Sequence, residues 1–300
     1  MATGDPVLDF VLSLRTPAAT MAMRAVSAAS SPEAYLALIP VVYWVLSRRA
    51  GLLLLGAGAV ASLSAVILKD IVAAPRPPDA GPSAWLARAE TTHAFPSGHA
   101  TSTAATCFTL AGLHPSLRAA AAAGLLTGLV GLSRLYLGLH YFPDVLAGAA
   151  LGAGAALAFV LAAPRAGPWL ARLPLPARAS LGLFFVPALV LNSSPPAVLI
   201  AWAAAGALGG HALADAWGWQ LPTGRPARLP AYGLLRILLG LPVLVALGVG
   251  LGDPMTAPPA EVAARFLLLG AFVTLLGPRL FMVAEKTAPW TEGFRQRPSH

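Results

Sequence analysis

The chain has little charge, almost no lysine and a single cysteine, and each shortage excludes something. Charged residues make up 11% of its 300 positions, against about 25% in a soluble globular domain. That is too little to cover a water-facing surface of this size. The one cysteine, Cys107, lies in an apolar stretch. A lone thiol rules out an intramolecular disulfide and any cysteine-based metal cluster. Lysine occurs only as Lys69 and Lys286. The formal net charge is +8, but the basic residues are scattered among apolar stretches, so no nucleic-acid partner is expected. Anionic lipid head groups and lipid phosphates suit that distribution better. The N-terminus lacks the basic-then-apolar pattern of a cleaved signal peptide.

What is present is apolar: 57% of the residues are hydrophobic, and mean hydropathy is +0.72. A membrane span needs about 20 apolar residues. Nine segments approach that, at 33–47, 50–73, 97–113, 117–137, 144–163, 179–191, 196–214, 231–251 and 262–283. The expected fold class is therefore all-α, a polytopic transmembrane helical bundle set in the bilayer. Residues 5–30 mix Phe10, Val11, Leu14 and Met21 with Arg15 and Arg24, the pattern of an interfacial amphipathic helix. The division that follows is an N-terminal interfacial segment at 1–32, a transmembrane core at 33–165, further transmembrane helices at 166–285 and a cytoplasmic tail at 286–300.

Charge orients the spans. Arg48, Arg49, Arg118, Arg165, Arg172, Arg178, Arg225, Arg228, Lys286, Arg295 and Arg297 all fall on one side of the nine-span arrangement. On the other side, Arg76 and Arg88 are outnumbered by Asp70, Asp79 and Glu90, and a short loop carries Asp253 and Glu261. The positive-inside rule puts the arginine-rich side in the cytoplasm. Nine spans then leave the N-terminus outside and the C-terminus inside. The Ala, Gly, Pro and Arg bias fits a GC-rich bacterial genome, hence an inner (plasma) membrane. Gly148 with Gly152, and Gly206 with Gly210, have the GxxxG spacing of close helix contacts.

Three polar clusters interrupt the apolar pattern: Lys69 with Arg76-Pro77, then Pro96-Ser97-Gly98-His99, then Ser133-Arg134 with His140 and Asp144. Alternating spans bring all three to the external face. Charge at membrane depth is costly and usually functional. Lys69, Arg76 and Arg134 supply three cations, as a phosphate dianion requires, and arginine matches its oxygens bidentately. Ser97 and Gly98 open a helix, where free N–H groups and the dipole favour an anion. Glycine there lets the anion approach the main chain. Phosphoryl transfer through a covalent intermediate needs a nucleophile and a proton donor. Asp144 follows His140 by four residues and can take its Nδ1 proton, aiming Nε2 at phosphorus. His99 has no such partner. That asymmetry makes His140 the nucleophile and His99 the acid.

The segments KDIVAAPRP, PSGH and SRLYLGLHYFPD together resemble the three-part signature of the type 2 phosphatidic acid phosphatase (PAP2) superfamily, over roughly the first 165 residues. The resemblance implies a helical catalytic core, here with extra C-terminal helices, that hydrolyses phosphate esters without metal or cofactor. It implies a phosphohistidine at His140 supported by Asp144. His99 would protonate the leaving oxygen and then activate water. Lys69, Arg76, Ser97 and Arg134 would bind phosphate, with Gly98 offering its backbone. The expected activity is removal of phosphate from a lipid phosphate or lipid diphosphate, undecaprenyl diphosphate among them, with the active site facing the periplasm or exterior. The same residues would serve a lipid phosphotransferase, and a lipid-phosphate transport or binding protein would leave His140 dispensable. A homodimer through the C-terminal helices is one use for the extension.

Other polar residues read as structural. His93 lies near the clusters without belonging to them, and His114 and His300 fall in a turn and the tail. His211 and Asp215 copy the four-residue spacing of His140 and Asp144 but lack a neighbouring PSGH or arginine cluster. Trp217, Trp219 and Tyr232 fit an interfacial aromatic belt.

Overall fold

The computed structural model describes residues 4–78, 92–221, 230–248 and 256–287. Every regular element among them is helical. Helices α1 (Pro6–Ser13) and α2 (Pro17–Ala29) each begin on a proline behind a capping side chain. Asp5 Oδ1 accepts from the Val7 and Leu8 N–H groups, and Thr16 Oγ1 from that of Ala19. Proline suits that position because its missing N–H would have had no intrahelical acceptor. Next come α3 (Pro32–Val41), which continues as a π-helical turn over Val42–Leu46, and α4 (Arg48–Val72). Helices α5 (Gly98–Leu113), α6 (Leu117–Tyr136) and α7 (Phe142–Ala171) follow. The remainder is α8 (Leu175–Ser180), a 3-10 stretch (Leu181–Val190), α9 (Pro195–Ala216), α10 (Pro230–Gly248), α11 (Pro259–Ala271), a π turn (Phe272–Leu276) and α12 (Gly277–Thr287).

Six helical stretches are long and apolar enough to cross a membrane: Arg48–Val72, Leu117–Tyr136, Phe142–Ala171, Pro195–Ala216, Ala231–Gly248 and Pro259–Glu285. The chain is a multi-pass, all-α membrane protein. Of the nine expected spans, six are helices of that length among the described residues. The segment 33–47 is broken by Pro40 and a π turn. The segment 179–191 winds as a 3-10 helix around Pro187. The segment 97–113 forms α5, whose 16 residues rise about 24 Å; it is shorter than each of these six, and it packs antiparallel on α6 across a three-residue turn. Its hydroxyls turn back on the helix: Thr101 Oγ1 donates to the Ser97 carbonyl and Ser102 Oγ to that of Gly98. Asp79, Arg88, Glu90, Arg225, Arg228, Asp253, Arg295, Arg297, His300 and the Lys286 side chain lie outside the described residues, with the orientation signals they carry.

Contacts divide the chain into two units, one of residues 1–38, 53–168 and 188–197, the other of 39–52, 169–187 and 198–300. In the first, α1 and α2 pack on α6. Leu8 and Val11 join Ala100, Leu135, Tyr136 and Val145 in one buried cluster. Helices α5 and α7 touch through glycine. A Cβ at Gly148 would strike the Ser97 carbonyl, and one at Gly152 the Thr101 carbonyl and Ala104. The Asn192 amide donates to the Val66 carbonyl and to Asp70 Oδ2, tying the stretch before α9 to α4.

In the second unit Gly206 and Gly210 pack against 267–275 in the same way. Two arginines are buried there, and each has identifiable acceptors. Arg236 donates from Nε to Glu285 Oε1 at 2.7 Å and from Nη1 to the Trp44 carbonyl. Arg265 donates to the Leu247 and Gly248 carbonyls of α10.

Candidate functional site

Four helix ends of the first unit supply the site: the last turns of α4 and α6, and the first turns of α5 and α7. The three sequence clusters sit on these ends.

The α6–α7 turn fixes where Arg134 and His140 stand relative to each other. Helix α6 stops in a six-residue loop closure: the Gly138 N–H donates to the Leu135 carbonyl at 2.8 Å and the Leu139 N–H to the Arg134 carbonyl at 3.0 Å. This motif needs a left-handed residue just past the helix, and Gly138 has φ +71°. Leu137 and Leu139, on either side, are fully buried. The signal, a glycine directly after a helical segment, was available in the sequence and went unused.

Asp144 occupies the third position of α7. Its Oδ2 accepts from the Tyr141 N–H at 2.8 Å, reaching back to the residue before the helix as in a capping box. The same oxygen lies 3.5 Å from His140 Nδ1. His140 is 1% exposed, and its Nε2 lies 3.3 Å from Arg76 Nη1. Arg76 can only donate, so Nε2 is the lone-pair nitrogen and the proton belongs on Nδ1, facing Asp144.

Arg76 is held on every side. Nε donates to the Thr92 carbonyl at 2.8 Å, Nη1 to the Leu139 carbonyl at 2.9 Å, and Nη2 to Thr92 Oγ1 and the His93 carbonyl. Lys69, in the last turn of α4, donates from Nζ to the His93 carbonyl at 2.5 Å. The segment Thr92–Ala94 thus braces two cations with its backbone, and the Ala94 N–H donates to the Ala74 carbonyl. The His93 side chain is exposed; its contribution is a carbonyl, which no side-chain pattern reveals. Helix α4 ends at Ala73, whose φ of +49° turns the chain toward Arg76.

Ser97 is fully buried. Its N–H donates to the Asp144 carbonyl at 2.9 Å. Its hydroxyl does not cap α5 and has no hydrogen-bond partner among the described residues. A Cβ at Gly98 would meet no atom within 4 Å, so the first N–H groups of α5 are approachable. His99 is half-buried one residue further on. Arg134, 1% exposed, donates from Nη1 to Ser27 Oγ on α2 at 2.7 Å, a residue the sequence reading did not single out.

Direct contacts therefore join Arg76 to His140, Asp144 to His140, and Ser97 to Asp144, so the three clusters meet. Cations, helix N–H groups and an oriented imidazole in one place can hold an oxyanion and attack it. His211 and Asp215, in the second unit, do not repeat this. His211 Nδ1 pairs with Tyr43 OH at 2.9 Å, while Asp215 accepts from Arg178 and Gln220. Trp217 and Trp219 stack at 4.9 Å, with Arg279 over the Trp219 ring. Among the described residues no group of three or more His, Cys, Asp or Glu could hold a metal ion.

Residues 50–168 match the family model described as PAP2 superfamily. No curated protein and no solved structure matches the chain.

Proposed function

We propose, for a chain whose residues 50–168 belong to the PAP2 superfamily, that the site hydrolyses the phosphate ester or diphosphate of a membrane lipid through a phosphohistidine at His140. Membership supports phosphatase-type activity on phosphate esters; the lipid, the intermediate and the outward-facing site are our reading. The observation that carries it is the placing of His140, with Asp144 Oδ2 3.5 Å from its Nδ1 and Arg76 Nη1 3.3 Å from its Nε2.

In this reading Nε2 attacks phosphorus while Lys69, Arg76, Arg134, Ser97 and the Gly98 N–H hold the phosphoryl oxygens. The bond to the leaving oxygen breaks, and His99 gives that oxygen a proton. Asp144 stabilises the imidazolium. Water, losing a proton to His99, then attacks phosphorus, the P–N bond breaks and phosphate leaves. Charge-assisted hydrogen bonds of this kind contribute about 1.5–3 kcal/mol each.

The lipid assignment rests on position. A site at the ends of apolar helices can take a head group while its tail stays in the bilayer, which avoids exposing the tail at about 0.8 kcal/mol per CH₂. The leading head group is a prenyl diphosphate, with phosphatidylglycerophosphate and phosphatidic acid behind it. The experiment compares kcat/KM for one head group on long, short and no acyl chain, with trapping of an acid-labile phosphoprotein. Long chains should be hydrolysed far better, and the phosphoprotein should vanish in His140→Ala. Equal kcat/KM across the series would remove the lipid from the proposal. A phosphoprotein that persists in His140→Ala would remove the intermediate.

A further inference from the structure

The Arg134 guanidinium is held from outside the three clusters. Its Nη1 donates to Ser27 Oγ at 2.7 Å, and the two residues are 1% and 5% exposed. A buried guanidinium needs acceptors for its N–H groups, because desolvating it without them is expensive. The choice of acceptor matters here. A carboxylate would form an ion pair and compete with an incoming phosphate for the same charge. A serine hydroxyl accepts from the guanidinium without adding a negative charge beside it.

Ser27 belongs to a larger brace. Arg15 Nε donates to the Tyr136 carbonyl at 2.8 Å, and the Thr16 N–H donates to Tyr136 OH at 2.7 Å. Tyr136 OH in turn donates to the Leu14 carbonyl at 3.2 Å. Tyr136 lies two residues beyond Arg134 on α6. Leu8 and Val11 of α1 pack into the cluster that holds Leu135 and Tyr136. The α1–α2 pair therefore grips the one turn of α6 that carries Arg134, through apolar contact, main chain and side chain together. Residues 6–29 precede the segment that matches the family model, and the three-part signature says nothing of them.

We infer that Ser27 is a positioning residue for Arg134, and that the α1–α2 pair is through it a working part of the phosphate site rather than only a membrane-surface anchor. The inference rests on the phosphatase reading above and deepens it. Loss of the hydroxyl removes one of the contacts that orient the guanidinium, so the phosphoryl group is held less well while the chemistry at His140 remains.

The test measures KM and kcat for phosphate release from a long-chain lipid phosphate, inhibition by vanadate, and thermal unfolding, for wild type, Ser27→Ala, Ser27→Cys and Ser27→Thr. Losing one charge-assisted contact predicts that KM and the vanadate inhibition constant rise about ten- to hundredfold in Ser27→Ala. Ser27→Thr keeps the acceptor and should retain wild-type values. Ser27→Cys, close in shape and a poor acceptor, should behave as Ser27→Ala and decides the matter if the alanine variant does not fold. Variants that lower the unfolding temperature but leave KM and vanadate inhibition at wild-type values would overturn the inference alone, reducing Ser27 to a packing role. A wild-type protein that neither releases phosphate nor responds to vanadate would overturn the phosphatase reading and this one together.

Discussion

The Ser97 N–H donates to the Asp144 carbonyl at 2.9 Å, so the start of α5 and the start of α7 are one joined unit. The same Asp144 caps α7 through Tyr141 and faces His140 Nδ1. One residue thus caps α7, faces the imidazole and accepts from the first turn of α5.

That joint role shapes the first prediction. His140→Ala should abolish turnover and His99→Ala should leave at most a trace, with little change in thermal stability, since both act on bond making and breaking. Asp144→Asn should lower kcat and also weaken the cap, by roughly 0.5–2 kcal/mol. Steady-state rates with unfolding temperatures on the same samples check this. Near-normal turnover in His140→Ala would end the mechanism.

Activity should persist in excess chelator. Lys69, Arg76 and Arg134 bring the positive charge that a phosphoryl group in transfer needs. Vanadate should inhibit, because a five-coordinate vanadate on His140 resembles the transferring phosphoryl group. Phosphate release measured with chelator, then with magnesium restored, is decisive: loss in the first and recovery in the second would refute metal independence.

Topology can be read by single-cysteine labelling of intact cells with an impermeant thiol reagent. Cys107 is partly accessible within the protein, so a Cys107→Ala background is required. Ser83→Cys, in the stretch outside the described residues, should label, and Ser116→Cys, at the cap of α6, should not. The reverse pattern would put the site on the cytoplasmic face.

Gly138→Ala should destabilise the protein by about 1–2 kcal/mol, since a Cβ is disfavoured in the left-handed region, and activity should fall with it. Ala73→Gly, at the other left-handed position, should keep activity and raise the unfolding temperature. If Gly138→Ala unfolds at the wild-type temperature, the turn does not depend on that conformation.

The chemistry was legible in the sequence because its residues are polar in an apolar background. Lys69, Arg76, Ser97, Arg134, His140 and Asp144 stand out by contrast alone, and the four-residue spacing places Asp144 Oδ2 3.5 Å from His140 Nδ1. What supports them was hidden for physical reasons. The His93 and Thr92 carbonyls belong to no residue type. Ser27 lies about 107 positions from Arg134 in a segment whose mixed composition resembles a surface helix, and only tertiary packing brings them together. Two expected spans are interrupted, one at Pro40 and a π turn and one by a 3-10 stretch around Pro187, because hydropathy registers apolar length and not continuity of the backbone hydrogen bonds. Arg236 and Arg265 lie inside apolar segments, and their acceptors, a glutamate and three carbonyls, are distant in sequence.

The two glycines of α7 have a consequence for evolution and engineering of the site. Gly152 lies eight residues past Asp144, on the order of 12 Å along the helix, and takes no part in binding or catalysis. Yet a single methyl group there would act as a wedge between α7 and the Thr101 turn of α5, levering His140 away from Ser97 and Gly98. Misplacement by about 1 Å can lower a rate about a hundredfold. The aperture of the site is thus calibrated by hydrogen atoms at a remote crossing, and Gly152 there is as constrained sterically as His140.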